Sequence, residues 1–202
     1  MLDIVIATRN RHKFRELTAL LRVSGIRWHS LAEFPSVSAV EETGRTFDAN
    51  AIKKARLVAR ATGLLTLADD SGVEIDALGG SPGTRSARFA GTHGNDLANN
   101  QKLLRLLDGL PASKRRARYR CSLALASPTR MMALTQGTWR GLIATSPRGH
   151  QGFGYDPIFV VPRLGKTVGQ LPTTLKQRLS HRARAARRMR RLIQRLARRH
   201  RP

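Results

Sequence analysis

Two hundred and two residues with an apolar fraction of 41% suffice for one packed domain or two small lobes, and 25% charged residues exclude wholesale disorder. The single cysteine, Cys121, excludes an intramolecular disulfide framework, and no Cys/His cluster has zinc spacing. The net charge of +24 is unevenly spread: residues 157–202 hold 14 basic residues and no acidic one, a field that attracts nucleotides, nucleic acid or an acidic membrane without choosing among them.

The chain opens on Leu2-Asp3-Ile4-Val5-Ile6-Ala7, an apolar run that predicts a buried strand rather than a signal peptide. No window approaches the roughly 20 apolar residues of a membrane span. The expectation is a soluble, cytoplasmic protein with no membrane partner. Asn10 can cap a helix over residues 11–23, where Phe14, Leu17, Leu20 and Leu21 recur at helical spacing. Ile26 to His29 predicts a second strand, residues 30–45 a loop and residues 46–62 a second helix. Leu64 to Leu67 is a further apolar run that stops at Ala68-Asp69-Asp70-Ser71-Gly72, and Val73 to Leu78 can pair with it as a hairpin.

A helix is expected over 95–109, a strand over 116–126 with Cys121 in its core, and one or two strands over 131–144. Gly152 to Tyr155 reads as a glycine-rich loop leading into the strand Ile158-Phe159-Val160-Val161. From Lys176 onward the pattern is helical, with a basic helix at about 178–200. Its apolar stripe is Ala183, Ala186, Met189, Ile193 and Leu196, and its arginine-rich outer face suits non-specific polyanion binding. Alternating strands and helices followed by antiparallel strands predict a mixed α/β or α+β sheet with helices on its faces. Residues 1–202 read as one domain, without repeats or a separating linker.

Five stretches could carry chemistry. Adjacent carboxylates at Asp69 and Asp70, placed where a strand leaves the core, suit Mg²⁺, as does the pair Glu41-Glu42; a turn with an Asx hydrogen bond explains Asp-Asp-Ser-Gly equally simply. Thr8, Asn10 and Lys13 sit between a strand and a helix, where N–H groups and the helix dipole favour an anion; a capped helix with an exposed lysine is the plainer alternative. Phe153 or Tyr155, among glycines, can stack on a base or simply end a tight turn. Lys176 with Ser180-His181-Arg182 offers hydrogen-bond donors or a solvated helix start.

Taken in order, these stretches resemble the inosine triphosphate pyrophosphatase family. The matching motifs run from Ala7-Thr8-Arg9-Asn10-Arg11-His12-Lys13 and Glu41-Glu42-Thr43-Gly44 through Thr46-Phe47-Asp48-Ala49-Asn50-Ala51, with Lys54, to Ala68-Asp69-Asp70-Ser71-Gly72. They continue with Ser86-Ala87-Arg88, Asn99-Asn100, Gly152-Phe153-Gly154-Tyr155-Asp156-Pro157, and Lys176 four residues before Ser180-His181-Arg182. The resemblance covers nearly the whole chain.

It implies an elongated mixed sheet flanked by helices, with two lobes around a nucleotide cleft. The implied activity is Mg²⁺-dependent hydrolysis of ITP, dITP and XTP to the monophosphate and pyrophosphate, by a homodimer. By motif, Glu41 and Asp70 would hold Mg²⁺, with Asp70 also the base that activates water. Thr8, Arg9, Asn10, Arg11, His12, Lys13, Lys54 and Ser71 would face the phosphates. Phe153, Gly154, Tyr155, Asp156, Lys176, His181 and Arg182 would hold base and sugar. The chain departs from the family pattern at Gly169-Gln170-Leu171, at Gln177 and in the arginine content of 183–202. A non-catalytic nucleic-acid-binding protein on the same scaffold is the alternative; the charge favours it, and the retained Glu41, Asp70, Lys13 and Lys176 favour the enzyme.

Overall fold

The computed structural model describes residues 1–199. In chain order its elements are β1 (Leu2–Ile6), α1 (Arg11–Leu20), β2 (Ile26–Ser30), α2 (Phe47–Thr62), β3 (Leu65–Ile75) and α3 (Asp96–Leu106). There follow β4 (Arg116–Ala126), β5 (Met131–Ile143), β6 (Phe159–Val161), β7 (Lys166–Thr167), α4 (Thr173–Leu179) and α5 (His181–Arg199). The strands form one sheet in the order β2-β1-β3-β4-β5-β6-β7. β1 runs parallel to both β2 and β3, whereas β5, β6 and β7 pair antiparallel, so the sheet is mixed as expected. No helix is long and apolar enough to cross a membrane among the described residues.

The chain divides into two units: residues 1–70, 121–137 and 182 onward in the first, 71–120 and 138–181 in the second. In the first unit β1, the start of β3 and the end of β4 are buried on both faces, as befits central strands with mostly apolar sequence, whereas the edge strand β2 is mostly only partly buried. Ile4, Ile6, Leu67, Leu123 and Leu125 point to one side, where they meet Leu17 and Leu21 of α1 and Ala185, Met189 and Ile193 of α5. Val5, Ala7, Ala68, Ala124 and Ala126 point to the other, against Ala51, Ala55, Val58 and Ala59 of α2. Side chains that alternate along a strand thus feed two separate cores. Each fully buried leucine or isoleucine contributes about 1.5–3 kcal/mol. Caps set the helix ends: Asn10 accepts from the His12 and Lys13 amides, and Thr46 accepts from Ala49 N.

The second unit keeps one main apolar cluster. Val73, Ile75, Ala117, Tyr119, Trp139, Ile143 and Phe159 pack with Leu103 and Leu107 from the α3 region and with Ile158 and Leu171. Along β5, Trp139, Gly141 and Ile143 are buried while Arg140 is exposed. That alternation is the pattern of an antiparallel sheet covered mainly on one side.

Several expectations change. Residues 65–75 are one eleven-residue strand, not a run, a turn and a hairpin partner. Asp69 and Asp70 therefore lie inside β3, not at a strand exit. Gly72 is explained by a close approach: a side chain there would collide with the Gly83 carbonyl and Ser86. Residues 131–143 form one strand, and α1 stops at Leu20, three residues early. The C-terminal helix is two helices, because Ser180 is extended (φ −64°, ψ 159°). In the α5 stripe, Ala185 and Ala197 are buried while Leu196 is only partly so. The expected helix end at residue 200 lies outside the described residues.

Candidate active site

In the first unit, β3 carries its two adjacent carboxylates into different surroundings. Asp70 Oδ2 accepts from Asn50 Nδ2 at 3.0 Å, and Asn50 Oδ1 in turn accepts from Gly44 N at 2.7 Å. Lys54, one turn along α2 from Asn50, donates to Glu42 Oε1 at 2.5 Å and to the Asp69 carbonyl at 2.9 Å. Burial, and after it the negative charge of Glu42, pushes the Asp70 carboxyl up to about 6, against the opposing pull of Lys54, Asn50 and Lys13.

Asp69 sits among cations instead. Its Oδ2 accepts from Arg182 Nε at 3.1 Å and lies 3.7 Å from Lys13 Nζ; the Cys121 thiol donates to Oδ1 at 3.6 Å. Arg182 Nη1 donates to Glu16 Oε2 at 2.8 Å. Glu16 follows Lys13 by three residues on α1, so both reach the same side of that helix. Burial, then the charge of Asp69, holds the Cys121 thiol well above its ordinary value, which disfavours the reactive thiolate. Ahead of α1, Thr8 Oγ1 accepts from Asn10 N at 3.1 Å, and the Arg9 guanidinium donates to the Val37 carbonyl at 2.7 Å. Arg9, Asn10, Arg11 and His12 are exposed, and Thr8 and Lys13 partly so.

The second unit gathers its polar groups on Asp156, which is 2% exposed. Tyr119 Oη donates to Oδ1 at 3.1 Å; Lys176 Nζ and Phe153 N donate to Oδ2 at 2.6 and 3.0 Å. The Lys176 ammonium also lies 4.6 Å from the centre of the Phe153 ring, a cation–π contact. Tyr119 stacks on His181 with ring centres 4.6 Å apart and planes 11° from parallel. Gly152 has φ +83°, and a side chain there would strike the Asp156 carboxylate, so the turn requires glycine. Gly154 is held by Asp96 Oδ2 at its amide (2.6 Å) and by Asn100 Nδ2 at its carbonyl (3.0 Å).

The residues singled out by sequence thus fall into two sets. Asp70, Lys54, Lys13 and Arg182 belong to the first, and Phe153, Asp156, Lys176 and His181 to the second. Ser71 follows Asp70 directly on β3 and is partly buried. Tyr155 is buried and donates to the Ser86 carbonyl at 2.9 Å, so it anchors the loop rather than offering a face to a base. Gln170 completes a capping box with Thr167, which accounts locally for one departure from the family pattern. Sequence reading missed Glu42 as the acid acting on Asp70, and missed Asn50, Glu16 and Tyr119. Asn50 and Glu42 left usable signals, inside the Thr46 to Ala51 and Glu41 to Gly44 motifs.

The carboxylates suit Mg²⁺. No three His, Cys, Asp or Glu side chains come together as a metal cage among the described residues. Mg²⁺ does not ask for one, since it takes one or two carboxylates and completes its shell with water and phosphate oxygens. Glu42 is engaged by Lys54, whereas Glu41 is exposed beside it. An Asp70 whose charge is disfavoured by burial, and after it by the charge of Glu42, is a position that a dication relieves.

A mixed sheet flanked by helices, with one polar cluster in each unit, defines an α/β protein. The family model described as the Ham1 family matches residues 4–192, and the chain belongs to that family. A "dITP/XTP pyrophosphatase" of Geobacillus kaustophilus (strain HTA426) is 49% identical over 185 residues, covering 92% of this chain and 91% of the relative. Its namesake from Desulforamulus reducens is 46% identical over 195 residues, covering 96% and 97%. The solved structure of a HAM1 protein from Coxiella burnetii superposes with a TM-score of 0.87 at 42% identity, covering 96% of this chain and 98% of that one.

Proposed function

We propose that this chain is a nucleoside triphosphate pyrophosphatase that hydrolyses dITP, XTP and ITP to the monophosphate and pyrophosphate with Mg²⁺. The whole of residues 1–202 is read as one catalytic domain, acting in the cytoplasm as a homodimer. Non-specific polyanion binding by its C-terminal helix is a separate activity. The observation that carries the enzymatic reading is Asp70: a buried carboxyl pushed up to about 6, beside Glu42 and within the field of Lys54 and Lys13. A base works best when its pKa lies near the operating pH.

In this reading water attacks the α-phosphorus, the bond to the α–β bridging oxygen breaks, and pyrophosphate leaves. Asp70 takes the proton of the attacking water. Glu41 and Asp70 would hold Mg²⁺, which when bound neutralises phosphate charge and acts as a Lewis acid. Lys13 and Lys54 add cationic charge, and the Asn10-capped start of α1, with Thr8, Arg9, Arg11 and His12, adds donors at the positive end of a helix dipole. Ser71 faces the same phosphates.

On the base side, Phe153 offers a ring face already polarised by Lys176, and His181 offers a donor to the 6-oxo group of hypoxanthine or xanthine. Gly154 and Asp156 shape the loop. Arg182 contributes through its hold on Asp69. Guanine shares the 6-oxo group, so discrimination against GTP rests on its 2-amino group, which would meet a clash or an unmatched polar atom.

The test is a panel of dITP, XTP, ITP, GTP and ATP incubated with purified protein and Mg²⁺, with nucleotide products separated by chromatography. Monophosphate plus pyrophosphate from the first three, lost on chelation and restored by Mg²⁺, is the expected result. Diphosphate plus single phosphate as direct products would overturn the reading. Light scattering at several concentrations reports the dimer.

A further inference from the structure

We propose that the outer face of α5 binds the phosphodiester backbone of nucleic acid without sequence preference, as an activity separate from nucleotide hydrolysis. At 100° per residue, Arg184, Arg187, Arg188, Arg191, Arg195, Arg198 and Arg199 fall within a stripe about 120° wide. All seven are exposed. Directly opposite lie Ala186, Met189, Ile193 and Ala197, all buried in the core of the first unit. Packing of that apolar face therefore fixes which way the arginines point.

The density of charge fits the ligand. Residues 184–199 rise about 22 Å along the helix, so the stripe carries a guanidinium about every 3–4 Å. A nucleic-acid strand is likewise a dense row of negative charge, with a phosphate on every nucleotide. No acidic residue follows Asp156 in the chain, so α5 itself contributes no carboxylate. The choice of residue is also one-sided: α5 has no lysine. Arginine presents a planar fork of donors that matches phosphate oxygens two at a time. Arg190 and Arg198 further share a pocket with Arg22, Ser24 and Gln194, which widens the basic surface toward the end of α1.

An acidic membrane is the lesser fit. A helix that lies in a lipid interface inserts its apolar face, and in α5 that face is already inside the protein.

The experiment measures fluorescence anisotropy of a labelled 20-nucleotide single-stranded RNA of mixed sequence, and of an oligo-U of the same length, against the full-length protein from 50 to 300 mM KCl without nucleotide or Mg²⁺. Both RNAs are expected to bind with similar affinity. The slope of log K against log salt is expected to approach about −5, from about −0.7 per phosphate neutralised at seven contacts. The variant carrying Arg188→Gln, Arg191→Gln, Arg195→Gln and Arg198→Gln should lower the slope's magnitude by about 3 and weaken binding at 50 mM at least tenfold. It should keep wild-type circular dichroism and dITP hydrolysis.

Absence of salt-sensitive RNA binding by the wild type overturns the proposal, as does a variant that binds RNA unchanged. Binding to vesicles of phosphatidylserine and phosphatidylcholine but not to RNA overturns it in favour of a membrane surface. Because binding is read without substrate, a failure of hydrolysis leaves this result standing, and the reverse.

Discussion

Arg182 closes a buried ion pair on Asp69: Nε and Nη2 each lie 3.1 Å from Oδ2, with both residues at most 3% exposed. Burial works against the guanidinium's charge, but Asp69 and Glu16 outweigh it and hold the group above its ordinary value. Removing one partner of such a pair leaves the other charges buried without compensation. Arg182→Met should cost about 3–5 kcal/mol. Urea denaturation should show this as a lower midpoint with an unchanged slope. A wild-type midpoint in the variant would mean that the pair is neutral for stability.

Asp70→Asn separates stability from turnover. The amide cannot accept the water's proton and is a weak metal ligand, so turnover should fall about 10²–10⁴-fold. Stability should move the other way. The folded carboxyl titrates at about 6 against 3.8 in the unfolded chain, so between those values the native state holds more protons. Wild-type stability therefore falls as pH rises from about 4 to 6 and is lower by up to about 3 kcal/mol above that. In chelator, the asparagine variant should lack this slope and be the more stable protein at pH 7. Parallel stability curves from pH 4 to 7 would contradict the assignment.

Tyr119 holds both His181 and Asp156. Tyr119→Leu removes the stack and the hydroxyl together. An aromatic pair contributes about 0.5–1.5 kcal/mol beyond its area, so KM for dITP should rise several-fold with a smaller change in kcat. Tyr119→Phe keeps the ring and should recover most of the loss. Equal effects of the two substitutions would assign the contribution to the hydroxyl alone.

His29 on the edge strand β2 bridges Asp3 Oδ1 at 2.7 Å and Glu33 Oε2 at 3.0 Å. Its hydrogen bond to Asp3, then that to Glu33, raises its pKa above 6.5. The stabilisation is therefore full below pH 6.5 and disappears as pH rises through the higher folded value. His29→Gln should be less stable than wild type at pH 5.5 and indistinguishable from it at pH 9, measured by urea midpoints across that range. A difference that persists unchanged at pH 9 would show that protonation plays no part.

What the sequence by itself determined is local. An apolar run identified β1, alternation around Tyr119, Cys121, Leu123 and Leu125 identified β4, the Asn10 cap and its following periodicity identified α1, residue types picked out Asp70, Lys13, Lys176 and His181, and the family resemblance added Lys54 and Asp156. These features are legible because each depends on neighbours within a turn of helix or a few strand positions. Asp69-Asp70-Ser71-Gly72 has the composition of a turn, yet it runs straight through β3, because Gly72 answers to Ser86 and the Gly83 carbonyl rather than to its own neighbours. The tertiary structure alone decided that Asp69 is matched to Arg182, 113 positions away, while Asp70 accepts from Asn50 and feels the charge of Glu42. It likewise placed Tyr119 against His181 and set seven arginines opposite one buried stripe. Composition supplies the charges, but their partners come from strand and helix packing across long sequence separations, and that packing is what pairs one aspartate with a buried arginine and leaves its neighbour's carboxyl raised.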